Sequence, residues 1–170
     1  MQATQFSVIE ADLTSRLGQI AINTAVIEEW LGHLLASLID ADPGGLHVVT
    51  RDMSVGTIIQ TIKTVLSIFE PARPELKLVR ELVEDADEIR GERNELIHGV
   101  WDQTGCEPGT ALVQTTNWKR AEITRERLIT TSELDQLLSH CETWIEEFVL
   151  LGREFHFPRT KGSDKSIFAD

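Results

Sequence analysis

Residues 7–41 read SVIEADLTSRLGQIAINTAVIEEWLGHLLASLIDA, and their spacing decides the fold class. Leu13, Leu17, Ile20, Thr24, Ile27, Leu31, Leu34 and Leu38 recur at alternating intervals of four and three. An α-helix returns to one side every 3.6 residues, so these positions form one stripe down a helix of about nine turns. Ser7 and Glu10 have the spacing of a capping box, in which each side chain satisfies a free amide at the helix start. Asp42-Pro43-Gly44-Gly45 supplies the stop, because proline and paired glycines are costly inside a helix. A stripe of this length has to be covered along its whole run, which points to a bundle.

Outward from this helix the pattern repeats. Val55, Ile58, Ile62, Val65 and Phe69 predict a second helix over residues 54–70, ended by Pro71. A third is predicted from Pro74, where a first-turn proline is tolerated, to His98, with Gly99 as its stop. Ser132-Glu133-Leu134-Asp135 has the pattern of a further helix start, and Leu134, Leu137, Cys141, Trp144, Phe148, Leu151 and Phe155 form its stripe. In between, Gly105, Pro108 and Gly109 mark turns, while residues 111–116 and 123–129 lean towards β-branched side chains. The expected fold is all-α: a four-to-five-helix bundle with a small β-hairpin insertion, over about residues 100–130, before the last helix. One helical domain is expected over residues 1–156, and the polar, aperiodic residues 157–170 read as a mobile tail.

Composition narrows the function classes. Among 170 residues, 28 Asp plus Glu stand against 16 Lys plus Arg, a net charge of −12. Bulk charge therefore cannot hold nucleic acid, because phosphate binding rests on neutralisation by Lys and Arg; only a small basic site within an acidic body can. Two cysteines, Cys106 and Cys141, do not make a disulfide framework, and with His98 and His140 they lack zinc-ligand spacing. No basic leader precedes an apolar run, and no stretch approaches the ~18 apolar residues of a membrane span, so a cytoplasmic protein without a membrane partner is expected. Gly-rich phosphate loops of Walker or Rossmann form are absent from the sequence.

The third helix breaks its own stripe. Leu82, Ala86, Ile89, residue 93, Leu96 and Val100 alternate four and three, yet position 93 is Arg93. The adjacent stripe of Leu76, Val79, Val83, Ala86 and Ile97 admits Arg90 as well. A buried guanidinium without a partner is very costly, so each must snorkel, pair with a carboxylate, or line a pocket or subunit interface. The surrounding acids, among them Glu84, Glu88, Glu92 and Glu95, permit simple ion pairing. Asn94 and His98 are four apart and neighbours on one helix face, with Arg90 a further turn back, which favours a site. Arg93 precedes His98 by five residues, about 140° around a straight helix. The two groups can converge through the reach of arginine, through loosening of the helix end near Gly99, or across a symmetric dimer with two Arg/His sets in one cleft.

Arg93-Asn94-Glu95-Leu96-Ile97-His98 resembles the Arg-x4–6-His motif of HEPN (higher eukaryotes and prokaryotes nucleotide-binding) domains. The longer string from Arg90 through Gly99 to Trp101 is similar to many small bacterial members, and so is the placement of the motif towards the end of a long inner helix. Residues 105–130 look like a lineage-specific insertion. The resemblance implies RNA cleavage in a dimer cleft without metal or other cofactor. It implies His98 as general base on the ribose 2′-OH, Arg93 as the cation holding the phosphate during attack, and Asn94 as a polar helper. The expected products carry 2′,3′-cyclic phosphate and 5′-OH ends. These residue types suit that chemistry: imidazole titrates at about 6.5 in model peptides, and guanidinium stays charged and presents a planar fork to phosphate oxygens. Arg90 and Trp101 are expected to border the substrate, and Lys119, Arg120, Arg125 and Arg127 can add local positive charge. The partners implied are RNA, a second copy and, as for HEPN toxins, a nucleotidyltransferase-like antitoxin. Two other readings stay open. One is a non-catalytic HEPN-like dimer serving as an interaction module. The other is a magnesium-dependent all-α nucleotide pyrophosphatase using Glu81, Glu84, Asp85, Glu88, Glu92 and Glu95.

Overall fold

A computed structural model of the chain describes residues 9–41, 45, 50–117 and 122–155. In chain order it holds α1 (Ala11–Leu38), α2 (Val55–Phe69), a 3₁₀ turn (Glu70–Ala72), α3 (Leu76–His98), β1 (Val100–Asp102), β2 (Thr110–Asn117), β3 (Glu122–Thr130) and α4 (Thr131–Phe155). The chain is mostly helical, as the stripes require. Its β segment is larger than the expected hairpin: three antiparallel strands in the order β1-β2-β3. Residues 100–102, directly after Gly99, pair with residues 112–114 and so make the third strand. Residues 157–170, read as a tail, lie outside the described residues.

The stripe of α1 is buried at Leu13, Ile20, Thr24, Ile27, Leu31 and Leu34. Thr24 belongs there because its hydroxyl donates to the Ile20 carbonyl at 2.8 Å, leaving only its methyl to be packed. The helix stops before the Asp-Pro-Gly-Gly stretch, of which residues 42–44 lie outside the described residues. Asp40 has a left-handed φ of 52°, the Ala41 N–H bonds the Ala36 carbonyl, and the Asp40 N–H bonds the Ser37 carbonyl. That is a Schellman stop with aspartate where glycine is usual. Asp40→Gly is therefore expected to raise stability by about 0.5–1 kcal/mol, by relieving the left-handed side chain and removing an anion from a helix C-terminus. Equilibrium urea unfolding measures it. Ser7 also lies outside the described residues, and the Glu10 carboxylate accepts from the Gly109 N–H at 2.9 Å.

Ser54 caps α2 by accepting the Thr57 N–H. Its buried face is Ile58, Ile59, Ile62 and Leu66, whereas Phe69 is exposed and Val55 and Val65 are only half-buried. Apolar residues lie nearly all round this helix, so the pattern admitted two stripes, and packing took the one carrying Ile59 and Leu66. Helix α3 begins at Leu76, two residues after Pro74.

Helix α4 is capped two residues earlier than Ser132. Thr130 Oγ1 accepts the Glu133 N–H at 3.2 Å, and the Glu133 carboxylate accepts the Thr130 N–H at 2.8 Å and its hydroxyl at 3.0 Å. Arg127 donates to the other Glu133 oxygen at 2.9 Å. Burial works against the Glu133 carboxylate, but the bonds from Arg127 and Thr130 outweigh it and hold its pKa below the ordinary carboxylate value. A depressed carboxylate pKa adds stability above the unfolded-state value, near 4.3, that is lost as pH falls through the folded value. Glu133→Ala should cost about 1–2 kcal/mol at pH 7. Below pH ~4 the gap to wild type should shrink, which urea unfolding at the two pH values checks.

Two compact units emerge, Met1–Thr24 with Ile89–Cys141 and Ala25–Glu88 with Glu142–Asp170. In the second, Trp144 is fully buried, stacks on Phe148 and donates its indole N–H to the Leu82 carbonyl at 2.8 Å. Lys63 pairs with Asp87 at 2.8 Å and Arg80 with Glu70 at 2.6 Å. In the first, Arg16 pairs with Asp12 and with Asp135 at 2.7 Å. The inner face of its sheet buries Ala111, Val113 and Ile129. No helix among the described residues is long and apolar enough to cross a membrane.

Candidate functional site

The end of α3 is fixed by the sheet next to it in the chain. A Cβ on Gly99 would stand 2.4 Å from Val113 Cγ1 and 2.7 Å from the Glu95 carbonyl oxygen, so only glycine allows β2 this close. Trp101, opposite Val113 in the ladder, donates its indole N–H to the Leu96 carbonyl at 2.8 Å. That carbonyl has no partner within the helix, and the indole satisfies it. Trp101 thus serves first as a cap, a role its position three residues past His98 did not reveal.

Within the motif, Arg93 is half-buried and its Nη1 donates to Asn94 Oδ1 at 2.9 Å. Among the described residues its buried Nε has no hydrogen-bond partner and no carboxylate pairs with it. Asn94 is half-buried; Arg90 is half-buried and partnered; His98 is exposed as the last residue of α3. The helix is α-helical through His98, so its end has not loosened to swing the imidazole round. Arg93 and His98 therefore project about 140° apart in one chain, with Asn94 between them at about 100° from Arg93. Arg93 meets Asn94 in this structure, and the helix turns His98 away from both the arginine and the core. Ile97, about 40° from Arg93, was expected on a buried stripe but is 37% exposed, and Val100 is 49% exposed. The apolar stripe of α3 runs out at Leu96, and the chain beyond Gly99 continues as a sheet strand.

Glu95 is the motif residue whose place was hidden. Its side chain is only 14% exposed, with Arg125 at 3.0 Å and Arg127 at 3.6 Å. Arg127 also bonds Glu133, whose hydrogen bond raises the guanidinium pKa despite burial. An alternating chain Glu133–Arg127–Glu95–Arg125 so ties α4, β3 and α3 together. Of the two arginines expected to offer charge to a substrate, Arg127 is held between two carboxylates, while Arg125 has one and keeps a side chain that is 61% exposed. Lys119 and Arg120 lie outside the described residues. A recess beside this chain, over Leu96 and Ile129, has about 10 Å³, the room of one water. It does not admit a nucleobase.

The acids of α3 behave as a solvated face. Glu81, Glu84, Glu88 and Glu92 are exposed, Asp85 is partnered and Asp87 is held by Lys63. Among the described residues, no group of three or more His, Cys, Asp or Glu side chains is gathered as metal ligands would be. No family model matches the chain, and neither a curated protein nor a solved structure matches it.

Proposed function

We propose that this chain is a metal-independent endoribonuclease of HEPN type, acting as a homodimer whose cleft gathers Arg93, Asn94 and His98 from two copies of α3. One observation carries the reading. Arg93 is half-buried, has a buried Nε without a partner and pairs with no described carboxylate, in a chain with 28 acids. Other cations such as Lys63, Arg80, Arg125 and Arg127 each have an acid. Holding a desolvated guanidinium unpaired costs free energy, and an anion from outside would recover it. The exposed Ile97 beside it gives apolar surface for a second copy, and the dimer removes the 140° obstacle because Arg93 of one copy can face His98 of the other.

In that cleft His98 takes the proton from a ribose 2′-OH, and the 2′-oxygen attacks the adjacent phosphorus. Arg93 holds the non-bridging oxygens as negative charge builds on them, with Asn94 fixing the guanidinium. The bond from phosphorus to the 5′-oxygen breaks and that oxygen takes a proton from water while His98 later gives its own back to solvent, leaving a 2′,3′-cyclic phosphate end and a 5′-OH end. Such activity suits a toxin or defence component, for which a nucleotidyltransferase-like antitoxin is the proposed restraint. The hold of two carboxylates on Arg127 favours the second reading, a non-cutting interaction module. The deciding experiment incubates wild-type protein in EDTA with single-stranded RNA and with DNA of the same sequence. Cleavage of the RNA alone is expected; intact RNA would leave the interaction module standing.

A further inference from the structure

The helix geometry turns Arg93 away from His98 of the same chain. Another guanidinium is closer to it in direction. Glu95 and His98 are three apart on α3, so their Cβ atoms lie about 5–6 Å from each other on one side of the helix. Glu95 holds Arg125 at 3.0 Å, and the Arg125 side chain is 61% exposed. Its strand is anchored at the same place: Arg125 is opposite Thr115 of β2, two residues along from Val113, whose methyl lies against Gly99. The register shift next to this pair leaves Thr124 as an extra residue, and a bulge of this kind re-aims the neighbouring side chain. Arg127, by contrast, is bound by two carboxylates and is only 32% exposed.

We infer that Arg125 is a substrate-binding residue, contacting a phosphate of single-stranded RNA beside His98 of its own chain, and that Glu95 is the residue that positions it. This rests on the endoribonuclease reading. A guanidinium with five N–H donors keeps most of them for an anion after one bond to Glu95. Glu95 sets its direction and also damps its charge, so binding stays weak until RNA phosphate competes for the same fork.

The test uses the full chain and a fluorescein-labelled, 2′-O-methyl single-stranded oligoribonucleotide, which cannot be cleaved, with affinity read by anisotropy from 50 to 200 mM KCl. Arg125→Gln is expected to weaken binding about tenfold, the size of one charge-assisted hydrogen bond. It should also make the slope of log affinity against log salt shallower by about 0.7, the value of one phosphate contact on a single strand. Arg125→Lys should keep the slope, and Glu95→Gln should tighten binding. The Arg125 side chain is exposed, and an ion pair of that kind adds little to stability, so the melting temperatures of the two Arg125 variants should stay close to wild type. Wild-type binding that Arg125→Gln leaves unchanged in affinity and slope overturns this inference alone. A wild-type chain that neither binds the oligomer nor cleaves RNA overturns the endoribonuclease reading and this inference with it.

Discussion

His98→Ala is expected to lower RNA cleavage by about 10²–10⁴-fold, the usual contribution of a positioned general base. His98 ends α3 with its side chain exposed, so removing the ring disturbs little of the fold. Melting temperature and dimer mass should remain at wild-type values while cleavage falls. Arg93→Ala should lower cleavage by roughly 10²–10³-fold, as loss of a transition-state charge donor does. It differs in one respect: deleting a half-buried, unpaired cation relieves a desolvation penalty, so thermal stability should hold or rise slightly. If Arg93 were instead a structural ion pair, the same substitution would strand a carboxylate and lower the melting temperature. Gel assays in EDTA with calorimetry on the same preparations separate the two cases. Cleavage by purified His98→Ala at the wild-type rate would remove the proposed base.

The second large effect is expected at Gly99. A Cβ at 2.4 Å from Val113 Cγ1 and 2.7 Å from the Glu95 carbonyl has nowhere to go, because Val113 is 2% exposed and the other neighbour is helix backbone. Gly99→Ala should therefore cost about 3 kcal/mol, the upper part of the overpacking range, and lower the melting temperature by roughly 6–12 °C. Cleavage should fall with it, since the strain opens the junction that orients both His98 and Glu95. Adding Val113→Ala removes one of the two clashes, so the double variant should be less destabilised than the sum of the single ones. Additive losses would mean that β2 does not press on the helix end.

The long helices were legible because periodicity is redundant: six positions of α1 and six of α4, from Leu134 to Leu151, agree on one buried face. Helix ends depend on one or two residues and were harder to read. Asp40 adopts a left-handed turn that sequence would assign to glycine, and two overlapping box patterns stood at 130–133 and 132–135. Strand β1 escaped because three residues cannot show alternation. At the site, Arg93 was visible as a charge on an apolar stripe. Glu95 was not, being one acid among many on α3, and only the strand lying across the helix distinguishes it. The clue was in β3: Arg125 and Arg127 share the period-two face of the buried Ile129, the face from which both reach Glu95.

Arg93 and His98, divergent on one helix, are proposed to act together across two copies. A heterodimer of Arg93→Ala and His98→Ala chains, carrying different tags and purified through both, tests this most directly. One of its two Arg/His pairings has both wild-type groups, so RNA cleavage in EDTA is expected far above either parent homodimer and near half the wild-type rate. A heterodimer as inactive as its parents would contradict the shared cleft.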